Sequence, residues 1–340
     1  MKQLGKAYAN TIFQPGLRPA LKTRQVKAMP VVRKKMKNPY TISGAPKMIR
    51  SFVCYADILG YSHLSGEAIS SGRGNEFLSR LHSALKSAYD RIRERSKDWQ
   101  GDPYYAVKVF TDNIVVGYPL MRPSFDYGEP ELGDIMGAFN ELQVALAMEG
   151  FFLRGGIALG ELFMDDDIVF GDALLQAVNL DKNGGPPRLS LAPSAVEIVR
   201  RQLGFYGEDR TWAPHYEYLL EDADGAIFLN YLYEAFFAFP DGGIFFEVIE
   251  KHKESVVKNL QDYKASPALR AKYEWAARYH NFVCKDFVER HPVPWHEDSD
   301  EEYAAATEQA QGLLDHIIDI ESMTTTPARI NLEPIKLERN

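Results

Sequence analysis

Cysteine is almost missing from this chain: Cys54 and Cys284 are the only two among 340 residues. Far apart and unaccompanied, they imply no disulfide framework, and no CxxC pair suggests a structural zinc site. Long apolar runs are missing too. No window of about 18 uncharged apolar residues occurs. The nearest candidate, FLNYLYEAFFAFPDGGIFF, is broken by Asn230, Glu234, Pro240 and Asp241. No membrane span and no secretory leader are expected, and the expectation is a cytoplasmic protein. Acidic residues are absent from the first 50 positions, which hold 12 Lys or Arg, whereas the other 290 residues carry 27 basic and 47 acidic side chains. Residues 1–48 therefore read as a basic, flexible arm, with Met29, Met36 and Met48 as alternative starts. Contact with nucleic acid is the other reading of such an arm. The acidic body argues against a broad nucleic-acid face, and no stable nucleic-acid partner is expected. It suits a protein that needs cations to bring a polyphosphate close.

What is present is ordinary for a globular chain: 45% hydrophobic and 25% charged residues, enough for a sizeable core. Regular patterning begins at Arg50. SFVCYAD reads as a strand and ILGYS as the turn leaving it. Phe77, Leu81, Leu85, Ala88 and Ile92 fall at helical spacing. YYAVKVF and NIVVGYP read as a hairpin around Thr111 and Asp112, and 133–150 as a second helix. FFLRGGIALGELF reads as a glycine-interrupted strand, 172–182 as a helix, PRLSLA as a strand, and PSAVEIVRRQLG as a helix ended by Gly204. Paired hairpins exclude a plain alternating parallel sheet. They point to an α+β, ferredoxin-like plan with an antiparallel or mixed sheet and helices. The expected division is an arm over 1–48, a central domain over 49–205 and a C-terminal extension over 206–340. Within that extension, a strand-rich stretch to about 248 precedes mostly helical segments over 249–263, 267–290 and 303–320.

Asp57 ends an apolar strand, and Asp112 sits in a hairpin turn between two more. If the strands are neighbours, both carboxylates leave the same edge of the sheet. Hard divalent cations take oxygen ligands, and Mg²⁺ commonly uses one or two carboxylates plus substrate phosphates. Two turn aspartates that cap backbone amides would look the same by spacing alone. His280 and Cys284, four apart on a helix, read as an ordinary helix face.

The surroundings of these residues resemble class III nucleotide cyclases. YADILGYS resembles their F-x-D-I-x-G-F-T strand and turn, and KVFTDNIVVGYP their K-x-x-G-D hairpin. RGGIALGELFMDDDIVFGDALLQAVNL resembles R-x-G-I-x-x-G-x followed by G-D-x-V-N-x-A-A-R-L. PPRLSLAPSA resembles P-G-K-I-x-x-S. The likeness covers about 50–205, in order. It implies two divalent ions, Mn²⁺ or Mg²⁺, on Asp57, Asp112 and the backbone carbonyl of Ile58. It implies a phosphate-holding turn over Gly60, Tyr61 and Ser62, with Arg188 where the family has a phosphate-contacting Lys. Tyr61 reads equally as a base-stacking ring or a core anchor.

Two departures matter. Leu175 and Asn179 fall where the family carries its transition-state Asn and Arg. Lys108 matches the adenine-reading Lys, but its acidic partner aligns with Ile168, one residue from Asp167. An aliphatic residue cannot accept the exocyclic amino proton of adenine. The altered helix, the P-R-hydrophobic segment and AKYEWAARYHNF resemble the pyrimidine cyclases of the Pycsar antiphage system. That resemblance implies cyclic UMP from UTP, or cyclic CMP from CTP, and a separate effector reached through the cyclic nucleotide. It also implies a homodimer with active sites at the interface, Asp57, Asp112 and Lys108 coming from one subunit and the 171–179 helix from the other. An adenylate or guanylate cyclase, or a degenerate cyclase acting as a nucleotide sensor, are the alternatives.

Overall fold

The alternation in IRSFVCYADI, with apolar residues on both faces, suits a central strand. In the computed structural model, which describes residues 38–95, 106–120, 127–182, 184–206, 213–237, 243–290, 300–320 and 327–334, it forms β3 (Ile49–Ile58). A small hairpin, β1 (Thr41–Ile42) and β2 (Ala45–Pro46), precedes it. After it come α1 (Tyr61–Ser70), α2 (Gly74–Arg95), β4 (Ala106–Phe110), β5 (Asn113–Pro119) and α3 (Glu129–Met148). Then follow β6 (Leu153–Met164), β7 (Val169–Phe170), α4 (Asp172–Lys182), β8 (Leu189–Leu191) and α5 (Pro193–Leu203). The path from β3 through helices to β4–β5, and through α3 to β6, gives the spatial order β6-β3-β5-β4 with every neighbour antiparallel. This is the ferredoxin-like α+β arrangement that the hairpin pattern predicts.

Period-two alternation then assigns the two faces of β3. Phe52, Cys54, Ala56 and Ile58 enter a large core with Leu81 of α2, Phe139 of α3 and Ile198 of α5. Val53, Tyr55 and Asp57 point to the opposite face. There α4 lies directly on the sheet, because a Cβ on Gly156 would come within 2.5 Å of Leu180 and 2.9 Å of the Ala177 carbonyl. Only glycine lets the helix and strand approach so closely. Tyr40, from the end of the basic arm, is fully buried on this face against Val53 and Leu162, and its hydroxyl bonds Ser51 Oγ at 3.0 Å. Residues 1–37 of that arm lie outside the described residues.

Chain beyond residue 205 continues the same sheet. β8 runs parallel to β6 and is followed outward by β10 (Ile227–Leu229), β9 (Leu219–Glu221) and β11 (Ala328–Arg329). Among its described residues, the stretch read as strand-rich holds β9, β10, a short helix α6 (His215–Tyr218) and a 3₁₀ turn over Tyr231–Ala235. Its aromatic run packs inward against α7 (Phe246–Asp262) and α8 (Pro267–Arg290), and Leu59 and Phe152 join this second core from the sheet. The last helical segment is α9 (Asp300–Gly312), shorter than its pattern suggests, followed by a 3₁₀ turn. The described residues form one compact unit. Among the described residues no helix is long and apolar enough to cross a membrane.

The turn ILGYS also differs from expectation. Gly60 adopts φ 72° and starts α1, a helix with no capping side chain and a single buried residue, Ala68. Both usual helix-start signals are missing from the sequence there.

A buried polar chain crosses the second core. The Tyr231 hydroxyl meets His252 Nε2 at 2.8 Å, His252 Nδ1 meets His280 Nδ1 at 3.0 Å, and His280 Nε2 meets the His316 carbonyl at 3.0 Å. One proton pattern satisfies all three contacts with both rings neutral: Tyr231 donates to His252, His252 to His280, and His280 to the carbonyl. Cys284 lies 3.8 Å from His280, and burial pushes its thiol up to about 12. Burial holds His252 well below the usual histidine value and brings His280 and His215 down to about 4. Their folded values lie below the unfolded ones, so the stability they contribute is full above about pH 6.5 and is lost as pH falls toward 4. Urea midpoints should drop between pH 7.5 and 5.0, with roughly 1 kcal/mol lost per histidine per pH unit below 6. A flat profile across that interval would contradict the neutral assignment.

Candidate active site

Asp57 is the penultimate residue of β3, and the register pairs it with Asn113 of β5 on one side and Arg154 of β6 on the other. Asp112 precedes Asn113 in the two-residue turn between β4 and β5. That turn requires a left-handed residue, and Thr111 supplies it at φ 58°. A β-branched residue there costs roughly 1–3 kcal/mol, and such strain tends to collect at functional sites. The Thr111 hydroxyl donates to Asp112 Oδ1 at 2.6 Å, and Asn113 Nδ2 donates to the same oxygen at 3.2 Å. Tyr55 bonds Asn113 Oδ1 through its hydroxyl. Turn geometry thus fixes Asp112 beside Asp57.

Arg154 closes the cluster. Its Nε and Nη2 donate to Asp57 Oδ2 at 3.0 and 2.9 Å, and its Nε lies 2.9 Å from Oδ1 of Asp181, near the end of α4. The Asp181 contact is an ion pair without hydrogen-bond geometry, since Oδ1 accepts no bond. Asp57 is only 8% exposed. Burial raises its carboxyl to about 6; Arg154 opposes the rise, while contact with Asp112 and the charge of Asp181 add to it. Asp181 is raised as well, first by burial. Burial together with the charges of Asp57, Asp181 and Asp112 pushes the Tyr55 phenol up to about 12. Asp57 and Asp181 thus share one guanidinium, and Asp112 adds its charge beside Asp57.

The other residues marked by sequence fall at several places around this cluster. Gly60, Tyr61 and Ser62 lie just beyond Asp57, where α1 begins and its first amides have no intrahelical acceptor. The Tyr61 ring, however, leans on Phe77 at 6.2 Å and packs against the core, which is its anchoring role. Ile58 is buried, with its backbone paired to Leu153. Lys108 lies on the row Lys108–Val115–Tyr55–Gly156, on the same sheet face as Asp57. Its charge is felt by Asp165, whose carboxylate is held below the usual range chiefly by the amides of Ile168 and Asp167, with Lys108 contributing. Asp167 and Ile168 themselves are exposed.

Asn179 and Leu175 stand one turn apart on the exposed face of α4, away from Ala173 and Ala177, which face the sheet. They do not join the Asp57 cluster of their own chain. Nor does Arg188 present a free guanidinium. It is 9% exposed, bonds Ser190, Asp222 and Asp224, and lies over the Phe228 ring. The phosphate contact that the resemblance implies for Arg188 does not fit this placement, because two carboxylates already engage it. Sequence reading passed over Arg154, Asp181 and Tyr55. Arg154 opens the RGGIALG stretch, but only strand register reveals that it faces Asp57.

Among the described residues no three His, Cys, Asp or Glu side chains group as a metal site by themselves. The Asp57–Asp112 pair does offer two hard oxygen donors, and a divalent cation there would offset the burial and the neighbouring carboxylates that raise Asp57.

No protein-family model matches the chain, and no curated protein does. Among solved structures it is similar to the monomeric guanylyl cyclase domain of the RhoGC fusion protein from the aquatic fungus Blastocladiella emersonii. Identity is 12% and the TM-score 0.36, over 53% of this chain and 94% of that one. It is also similar to a class III adenylyl cyclase-like ATP-binding protein from Pseudomonas aeruginosa, at 11% identity and a TM-score of 0.32, over 48% of this chain and 38% of that one. Identities and scores this low carry no function across.

The raised Asp57 value sets a sign. Ionising this carboxyl costs the fold stability as pH rises from about 4 to 6, and below about 6 a proton competes with any cation. At pH 8, Asp57→Asn should melt at or above the wild-type temperature. Mn²⁺ should raise the melting temperature of the wild type and not of Asp57→Asn. The wild-type rise should shrink as pH falls through 6. An equal Mn²⁺ effect on both proteins would remove Asp57 from the cation site.

Proposed function

We propose that this protein is a pyrimidine nucleotide cyclase, converting UTP or CTP to the 3′,5′-cyclic nucleotide and pyrophosphate. The observation that carries the reading is the meeting of Asp57 and Asp112, from the end of one strand and the turn beside its neighbour, next to the opening amides of α1. The ordered cyclase-like motifs around those residues support it. The ribose 3′-oxygen bonds the α-phosphorus as the α–β bridging bond breaks, the 3′ proton passes to solvent, and pyrophosphate leaves. Divalent ions, Mn²⁺ or Mg²⁺, would be held by Asp57, Asp112 and the Ile58 carbonyl, and when bound they supply Lewis-acid charge to the phosphates and acidify the 3′-hydroxyl. Arg154, whose fork faces Asp57, would donate to phosphate oxygens of the bound nucleotide. Amides of Gly60, Tyr61 and Ser62 form the cradle for the polyphosphate.

The pyrimidine assignment rests on the base-reading positions, where Ile168 replaces an acid, and on the likeness to the Pycsar group. From that likeness we also infer a cytoplasmic role in antiphage signalling, the cyclic nucleotide activating a separate effector that harms the infected cell. A homodimer completes the site. Leu175 and Asn179 stand on the exposed face of α4, away from their own Asp57, which leaves them available to another copy's site. Phe110, Ile168, Phe170 and Leu175 are 72%, 56%, 64% and 62% exposed on the elements that carry Asp112, Asp165 and Asp181, as an association surface requires.

One observation favours a second reading, a nucleotide-binding sensor without turnover: Leu175 and Asn179 lack the chemistry of the usual stabilising pair. A four-triphosphate assay with Mn²⁺ separates the readings. UTP or CTP should be cyclised, and Asp57→Ala and Asp112→Ala should each lose about 10³-fold or more. Turnover of ATP or GTP alone would sink the pyrimidine assignment, and no turnover of any triphosphate would favour the sensor. Leu175→Glu should convert dimer to monomer in light scattering and reduce product formation at least 100-fold, on the order of one lost transition-state contact. A fully active monomer would overturn the shared-site reading.

A further inference from the structure

The C-terminal extension brings a cation to the site that the cyclase-like motifs do not contain. Lys272 sits six residues into α8, partly buried. Its charge is felt by Asp181 and by Asp57, and Arg154 repels it. Its Nζ lies 4.0 Å from where a Cβ on Gly184 would stand, beside the loop that follows α4. Among the described residues it makes no hydrogen bond or ion pair. A partly desolvated ammonium that a guanidinium repels, drawn by the charges of Asp181 and Asp57 but without a bonded partner, gains from an added anion. Burial lowers its pKa, and Arg154 lowers it further.

The position of Lys272 is well fixed. The next residue, Tyr273, is 1% exposed and stacks on Tyr263 at 5.4 Å. It also meets Phe152 edge-on at 5.5 Å, and Phe152 stands two residues before Arg154. Trp275 donates from Nε1 to Asp222 at 2.6 Å. Asp222 is the carboxylate that also engages Arg188. The carboxylate that engages Arg188 therefore also seats the helix that carries Lys272.

We infer that Lys272 is a polyphosphate-binding residue of this site, delivered by α8 in place of Arg188. The inference rests on the nucleoside-triphosphate reading of the Asp57 cluster. A lysine suits the task as a compact, strongly charged donor for phosphate oxygens. It also gives the extension a direct hold on the site: any partner that shifts α8 would shift a phosphate contact.

The test uses the full chain with Mg²⁺ and inorganic tripolyphosphate, a probe with no base and no turnover, measured by calorimetry. Lys272→Met keeps the aliphatic stem and should weaken binding about tenfold or more, the scale of one lost charge-assisted bond. Lys272→Arg should restore most of it, and Lys285→Ala, an exposed change on the same helix, should have no effect. Wild-type binding that Lys272→Met leaves unaltered would overturn the assignment of Lys272 and spare the nucleotide reading. A wild type that does not bind tripolyphosphate at all would overturn both. Loss in Lys272→Met without recovery in Lys272→Arg would reduce Lys272 to packing and also count against the inference.

Discussion

Asp57 and Asp112 meet at one end of the sheet, and Arg154 is the guanidinium that ties Asp57 to a further acid, Asp181. Everything near the site follows from that link. β3 and β6 must pair in the register that puts Arg154 opposite Asp57. α4 must lie close enough on Gly156 to bring Asp181 in. The Thr111 turn must hold Asp112 in a strained conformation beside its neighbour. One guanidinium cannot satisfy three acids, so the site is poised to gain from added positive charge. Under the proposed function, divalent ions with a polyphosphate would supply such charge.

The extension is part of this arrangement. Its short strands β9, β10 and β11 widen the sheet, and its helices share a core with Leu59 and Phe152, residues that flank Asp57 and Arg154 in sequence. The Arg188–Asp222–Trp275 connection ties the sheet to α8 close to the candidate site. Farther along α8, the neutral Tyr231–His252–His280 chain fills the interior with fully bonded polar groups. Such a network fixes one packing geometry, because each group depends on the next for its partner. A rigid seat for α8 is what a cation carried on that helix needs in order to point consistently at the site.

Legibility differed sharply from residue to residue. β3, β5, α2 and α4 show strong period-two or helical patterns, and they formed where those patterns lie. Asp57 and Asp112 stood out because each adjoins such a strand and a cyclase-like motif. α1 escaped notice because its start has neither a capping side chain nor a first-turn acid. The stretch from 205 to 248 misled because aromatic residues suit both a strand and a packed 3₁₀ turn. Arg188 was read from its motif, yet its partners Asp222 and Asp224 come from a segment with no pattern to flag them.

The sequence by itself determined the α+β plan and the identity of the two aspartates, since short-range periodicity and local motifs encode both. Tertiary structure alone decided what surrounds Asp57. Strand register chose Arg154, helix packing on Gly156 chose Asp181, and the docking of a helix more than 200 residues away brought Lys272 near. Those contacts depend on long-range closure, which leaves no periodic trace in the chain. The result is a pair of aspartates legible from the outset and a charge environment, including the source of its cations, that only folding assembles.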